Sequence, residues 1–154
     1  MSKGPYKFHS VLHSADLIEK RLATLLTPIG IKPRQARILN ALSRMGEVSQ
    51  NELAEQFDVT SGSMSTMIER LEKVQLIERR KNPDDRRVDL ITLSKRGALV
   101  LTEIRDVWCE IDELIEEKLG SQKFAQLSEL TKELKFAMGG KIAGMNMKQN
   151  AKQR

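Results

Sequence analysis

Two groups of residues in this 154-residue chain have the types and spacing to do chemistry, and both would do it on a polyanion. The first is a run of small polar side chains, Ser61, Gly62, Ser63, Ser65 and Thr66, followed by Arg70. Serine and threonine hydroxyls bond base edges or phosphates, and small side chains let a backbone approach closely. The second is the segment holding Arg79, Arg80, Lys81, Asp85, Arg86 and Arg87. Arginines at a hairpin tip suit a narrow minor groove, where the potential is most negative. Basic side chains on the arm of the same hairpin suit phosphates, which assigns that role to Arg79, Arg80 and Lys81. Catalysis finds no support. The chain has no nucleophile–base pattern, no glycine-rich phosphate loop and no cluster of His, Asp and Glu beyond an ordinary charged surface.

These residues need elements to hold them. Ser49-Gln50-Asn51-Glu52 has the form of a capping box, which opens a helix carrying Leu53, Ala54 and Phe57 inward. Asp58-Val59 makes a turn, and Thr60 caps the next helix. That helix buries Val59, Met64, Met67, Ile68 and Leu71, and at 100° per residue its other face presents Gly62, Ser65, Thr66, Glu69, Arg70 and Lys73. Leu76 to Arg80 and Val88 to Leu93 have strand composition, joined through Asn82-Pro83-Asp84. Upstream, Leu12, Ala15, Ile18, Leu22 and Leu25 mark an amphipathic helix, and Pro33 opens another that carries Ala36, Leu39, Ala41 and Leu42 and closes at Gly46. Glu47-Val48 reads as a connector with one strand bridge. Downstream, Ser94 caps a helix running to about Leu119, with Ala98, Leu101, Ile104 and Trp108 on its apolar side. Ser121 caps a last helix, which ends at Gly139-Gly140.

Composition narrows the class. Forty per cent hydrophobic and 31% charged residues fit a globular chain with one sizeable core. No apolar run approaches the ~20 residues that span a bilayer, and the first residues lack the apolar stretch of a secretion signal, so a cytoplasmic protein without a membrane partner is expected. The net charge of +5 is mostly tail: Lys141 to Arg154 hold four basic residues and no acid, leaving 22 basic against 21 acidic elsewhere. Distribution is more telling. Seven basic and four acidic residues lie between Leu76 and Arg96, against two basic and seven acidic between Glu103 and Lys118. Such asymmetry turns the positive end toward a phosphate backbone.

A helix pair alone, or an arginine-rich loop alone, is ordinary in a solvated helical protein. Their order and spacing together point to double-stranded DNA. The rival is a winged helix that binds protein, which has no need of arginines at the wing tip.

The chain resembles the MarR family of bacterial transcriptional regulators from about His9 to Met138. The marker is the wing pattern D-x-R-x5-L-[ST], met by Asp85, Arg87, Leu93 and Ser94, with Lys95-Arg96-Gly97 after it. Ile31-Lys32-Pro33, Ile38-Leu39, Leu53-Ala54 and Val59-Thr60 also match. The resemblance implies a mainly α fold with a small β-hairpin wing: a winged helix-turn-helix with N- and C-terminal dimerisation helices. It implies a single domain over 9-139, with the DNA-binding lobe at 31-96, dimerisation helices at 9-27 and 98-138, and flexible ends at 1-8 and 141-154. It makes Arg87 the arginine that enters the minor groove, directed by pairing with Asp85. Two positions depart from the family's pattern. Gln75 stands where glycine is common, at a cost of roughly 1 kcal/mol if the residue is left-handed, so a different helix end is expected. Lys32 stands where Ser or Thr usually caps.

A homodimer is implied by the resemblance and by the long helix, whose Val100, Val107 and Ile111 lie on more than one face. Two recognition helices on a two-fold axis would read half-sites ~10 base pairs apart in an inverted repeat. The family's members typically lose DNA affinity when a small ligand or an oxidant acts. For a small-molecule effector the candidates are His13, Leu17, Arg37, Asn40 and Trp108, with Trp108 more simply explained as packing and Arg37 as either a solvated helix residue or a carboxylate clamp. Cys109, the single cysteine, is flanked by Asp106 and Glu110 and lacks the electropositive surroundings of an oxidation sensor. His9 and His13 share a helical face, but no third ligand has matching spacing, so neither a metal nor a cofactor is expected.

Overall fold

In the computed structural model, which describes residues 6–142, the chain runs through α1 (Phe8–Leu26), a single 3-10 turn (Thr27–Ile29), α2 (Pro33–Met45), β1 (Val48–Ser49), α3 (Gln50–Gln56), α4 (Ser61–Lys73), β2 (Ile77–Lys81), β3 (Asp89–Leu93), α5 (Lys95–Leu119) and α6 (Ser121–Ala137). Each element is where the apolar spacing and the caps put it, to within a residue or two. The expected flexible ends fall largely outside the described residues. Of those inside, Phe8 opens α1 and Lys141 pairs with Asp58 at 3.3 Å.

The core is built where helix stripes meet one face of a small sheet. Ile38, Leu39 and Leu42 of α2, Leu53 of α3, Met64, Ile68 and Leu71 of α4, and Leu101 and Ile104 of α5 are fully buried around Ile91. Burial of these side chains is the main stabilising term, at roughly 1.5–3 kcal/mol each. Ile91 lies on the central strand, because the sheet has three strands in the order β1-β3-β2, all antiparallel. Sequence suggests a two-stranded wing with a stray bridge. The structure pairs Val48 with Ile91 and Ser49 with Leu90, so the connector after α2 closes one edge of the wing. Five expected inward residues are less buried: Phe57, Val59, Met67 and Trp108 are half-buried and Ala98 is exposed.

Caps account for most helix starts. Ser49 Oγ accepts the Glu52 N–H at 3.2 Å and Glu52 returns the bond to the Ser49 N–H at 2.9 Å. Lys32 does not cap, as its chemistry requires, but Gln35 reaches back to accept the Lys32 backbone N–H at 3.0 Å. Ser121 is not a cap either. Gly120 takes that position with φ 82°, and the Ser121 hydroxyl donates to Glu116 instead.

The end of α4 corrects an expectation. Gln75 does adopt the left-handed conformation, φ 61°, and the helix closes as a Schellman motif with a side chain at the glycine position. The Gln75 N–H donates to Glu72 O at 2.8 Å and the Leu76 N–H to Leu71 O at 3.0 Å. Both carbonyls are satisfied, and burial of Leu76 beside Leu71 holds the strained residue in place. Gln75→Gly should therefore stabilise the protein by about 1 kcal/mol, read as a rise of a few degrees in Tm. An unchanged or lower Tm would show that no strain resides there.

The helices outside the lobe bury little. Leu12 is 59% exposed and Leu130 64%, and Val11, Leu17, Ile18, Leu127 and Leu134 are exposed with them. No residue of α6 is buried. Apolar faces of this extent on α1 and α6 are left uncovered by the rest of the chain among the described residues. Among the described residues no helix is long and apolar enough to cross a membrane.

Candidate nucleic-acid interface

Helix α4 is fixed at its N-terminus by local chemistry. Asp58 takes φ 51° in the turn after α3, and Thr60 Oγ1 accepts the Ser63 N–H at 3.1 Å. Ser61 Oγ donates to Asn51 Oδ1 at 3.0 Å, so the first residue of α4 is tied back to α3. Sequence patterning had no reason to single out Asn51. Its partner lies ten residues away across the turn.

The exposed side of α4 carries Ser61, Gly62, Ser63, Thr66, Glu69, Arg70 and Lys73. Ser65 is half-buried and donates to Glu69 Oε1 at 3.2 Å, while Thr66 donates to Gly62 O at 3.2 Å. Gly62 is the informative member. A Cβ built there would meet nothing within 4 Å, so no contact inside the protein requires glycine. Gly62 lies in the first turn of α4, and the open space beside it leaves room for a close approach from outside.

The wing sorts its basic residues into two sets. Arg79 shares a sheet face with buried Ile77 and Ile91, and lies 3.2 Å from Glu72 of α4 and 3.4 Å from Asp89. Arg80 on the other face donates from Nε and Nη2 to the two Glu47 carboxylate oxygens, at 2.6 and 2.5 Å. Lys81 pairs with Asp89 at 2.7 Å. The arm expected to contact phosphates is thus engaged within the protein, where it braces the wing against α4 and the strand before α3. The Lys81 ammonium, and then Arg79, hold the Asp89 carboxylate below its usual range against the opposing effect of burial. A lowered carboxylate stabilises the fold above its unfolded pKa, and that contribution is lost as pH falls through the lowered value.

Arg86 and Arg87 form the other set. Both are exposed at the hairpin tip and neither has an ion-pair partner among the described residues. Asp85 does not pair with the Arg87 guanidinium, as the resemblance implied. Its carboxylate accepts the Arg87 backbone N–H at 3.0 Å, and Asn82 Oδ1 accepts the Asp84 N–H at 3.0 Å. Short acceptors shape the tip and leave the arginine side chains facing solvent.

The effector candidates do not all come together. Arg37 and Asn40 line one pocket of about 250 Å³ with Arg44, Phe57, Lys135, Lys141 and Ile142. His13 and Leu17 lie exposed on α1, and Trp108 packs half-buried against the core. Arg44, Lys135 and Lys141 escaped sequence reading. The signal available was the i, i+3, i+7 spacing of Arg37, Asn40 and Arg44 on one helix face. Cys109 is exposed on α5.

Comparison with known proteins agrees with this geometry. The MarR family profile matches residues 29–88, which span α2 through the wing tip. The HTH-type transcriptional regulator MhqR of Bacillus subtilis is 27% identical over 121 residues, 78% of this chain and 77% of that protein. The uncharacterized HTH-type transcriptional regulator YwoH of the same organism is 30% identical over 96 residues, 62% of this chain and 69% of that one. In fold, a mutant MarR from E. coli solved in complex with operator DNA superposes with a TM-score of 0.73 at 22% identity, covering 82% of this chain and 92% of that one. The profile covers α4 and the wing as far as its tip, and the relatives extend the likeness into the flanking helices: the chain belongs to the MarR family of winged helix-turn-helix transcriptional regulators.

Proposed function

We propose that this regulator is a repressor that binds an inverted-repeat DNA operator as a homodimer and leaves it when a small ligand binds. The observation that carries the DNA contact is the sorting of charge in the wing. Arg79, Arg80 and Lys81 are ion-paired internally, while Arg86 and Arg87 are held outward by a turn that Asp85 and Asn82 shape. With them goes a glycine on α4 that no packing explains. In this reading α4 enters the major groove with Gly62, Ser65, Thr66 and Arg70 near base edges, and Arg87 enters the adjacent minor groove. The related fold of E. coli MarR has been seen on operator DNA, which supports the same seating here.

The division of labour follows the exposed surfaces. Residues 31-96 form the reading lobe, and the helices at 9-27 and 98-138 meet their counterparts in a second copy. The apolar residues left uncovered on α1 and α6 support that assembly, and the cytoplasm is its expected compartment.

One experiment separates this reading from a protein-binding winged helix. Affinity for random duplex should fall steeply with salt, because each neutralised phosphate releases counterions. Footprinting on a selected operator should protect two half-sites about one helical turn apart. Salt-independent binding, or protection of a single half-site, would sink the proposal.

A further inference from the structure

The pocket between α2, the residue after α3 and the C-terminal end of α6 holds a concentration of charge that DNA reading does not use. We propose that it is a binding site for a small, multiply charged organic anion of the phosphate monoester class. Arg37, Arg44, Lys135 and Lys141 would hold the anionic head, and Phe57 and Ile142 would face the carbon part. The proposal deepens ligand release and rests on it only for the regulatory consequence.

The lining carries four cationic side chains and no carboxylate. A fifth cation stands behind them: Arg105 of α5 donates to Asn40 Oδ1 at 3.2 Å and to Ser43 Oγ at 3.4 Å. Burial first, and then the charge of Arg105, lower the Arg44 pKa from the ordinary arginine value. Arg37, Arg44, Lys135 and Lys141 are all exposed, so the positive charge gathers on one open wall that a ligand can reach from solvent. With Lys141 offset by Asp58 at 3.3 Å, the lining still holds more positive charge than a monoanion carries. A phosphate monoester offers two charges and three terminal oxygens to guanidinium forks. Arg37 lies over the Phe57 ring, 5.5 Å from its centre, so an apolar wall adjoins the charged one. The volume, about 250 Å³, equals about eight water molecules at roughly 30 Å³ each, which suits a ligand of that class.

The site also touches the reading head. Lys141 pairs with Asp58, the left-handed residue in the turn between α3 and α4. An anion that draws Lys141 away removes that restraint from the turn that aims α4.

Calorimetry on the full chain without DNA tests the site, with phenyl phosphate as the probe and benzoate and phenol as controls. Phenyl phosphate should bind once per chain, about tenfold or more tighter than benzoate, and phenol should give no binding. Arg44→Gln and Lys135→Gln should each weaken phenyl phosphate about tenfold, and Lys135→Gln should do so with little change in Tm. Lys135 is exposed, so its variant keeps the test valid if the α2 variant fails to fold. Equal affinity for benzoate, or undiminished binding in the folded variants, overturns the proposal. So does displacement of phenyl phosphate by random duplex with a parallel loss of duplex affinity in Lys135→Gln, which would make the pocket a backbone-phosphate contact. Binding that leaves the operator complex intact supports the site and overturns the ligand-release reading instead.

Discussion

Gly97→Ala is expected to cost about 3 kcal/mol of folding stability, near the top of the range for overpacking a closely fitted position. A Cβ at Gly97 would lie 2.0 Å from the Leu76 carbonyl oxygen and 2.8 Å from Leu93 Cδ1. The first of these is backbone, so no rotamer change relieves the overlap. Either α5 retreats from the strand or β2 shifts, and both disturb the bonds that anchor the junction. Urea denaturation should show the midpoint falling with little change in slope. A midpoint equal to that of the parent would mean that α5 does not approach β2 as closely as described.

Arg87→Ala should leave stability alone and remove DNA affinity. The Arg87 side chain has no partner within the protein among the described residues, so its loss exposes nothing and breaks no pair. A groove or phosphate contact is worth roughly 1–3 kcal/mol, and the proposed dimer would lose two of them, so operator affinity should drop about thirtyfold or more. Gel-shift titration at fixed salt, beside a thermal melt of the free protein, checks both halves of the statement. Parent-like affinity would remove the wing from the interface. The corresponding change at Arg80 should behave differently, because it strips the partner from Glu47 and loosens the wing rather than the contact.

What the amino-acid sequence reveals here depends on how far apart the interacting residues lie. Thr60 capping Ser63, Ser49 exchanging bonds with Glu52 and Ser94 capping Gly97 all act over three residues, and their side chains announce them. The span of α5 and the inward stripe of α4 follow from spacing of the same local kind. Arg79 and Arg80 were legible as basic but not as engaged. Their carboxylates are Glu72, Asp89 and Glu47, the last 33 residues away, and only tertiary packing brings them together. β1 has two residues in its ladder, too few for composition to mark a strand. Gln75 shows propensity overridden: satisfied carbonyls and a buried Leu76 outweigh a local preference for glycine. The pocket is the extreme case, since Arg37 and Lys135 are neighbours only because α6 returns past α2.

Ser94 has a mechanical meaning beyond capping. Its hydroxyl donates to Gln75 O at 2.7 Å and accepts the Gly97 N–H at 2.9 Å, while its own N–H donates to Leu76 O at 3.1 Å. The end of the reading helix, the root of the wing and the first turn of α5 are thereby pinned at one point. With 25 residues, α5 is about 37 Å long at 1.5 Å per residue. A tilt of about 5° at its far end swings the pinned end through about 3 Å, and the reading head travels with the lever instead of flexing on it. That displacement is comparable to the ~3.4 Å step between neighbouring phosphates on one strand. A small tilt at the far end of α5 is therefore amplified at the pinned junction into a displacement of about one axial base step.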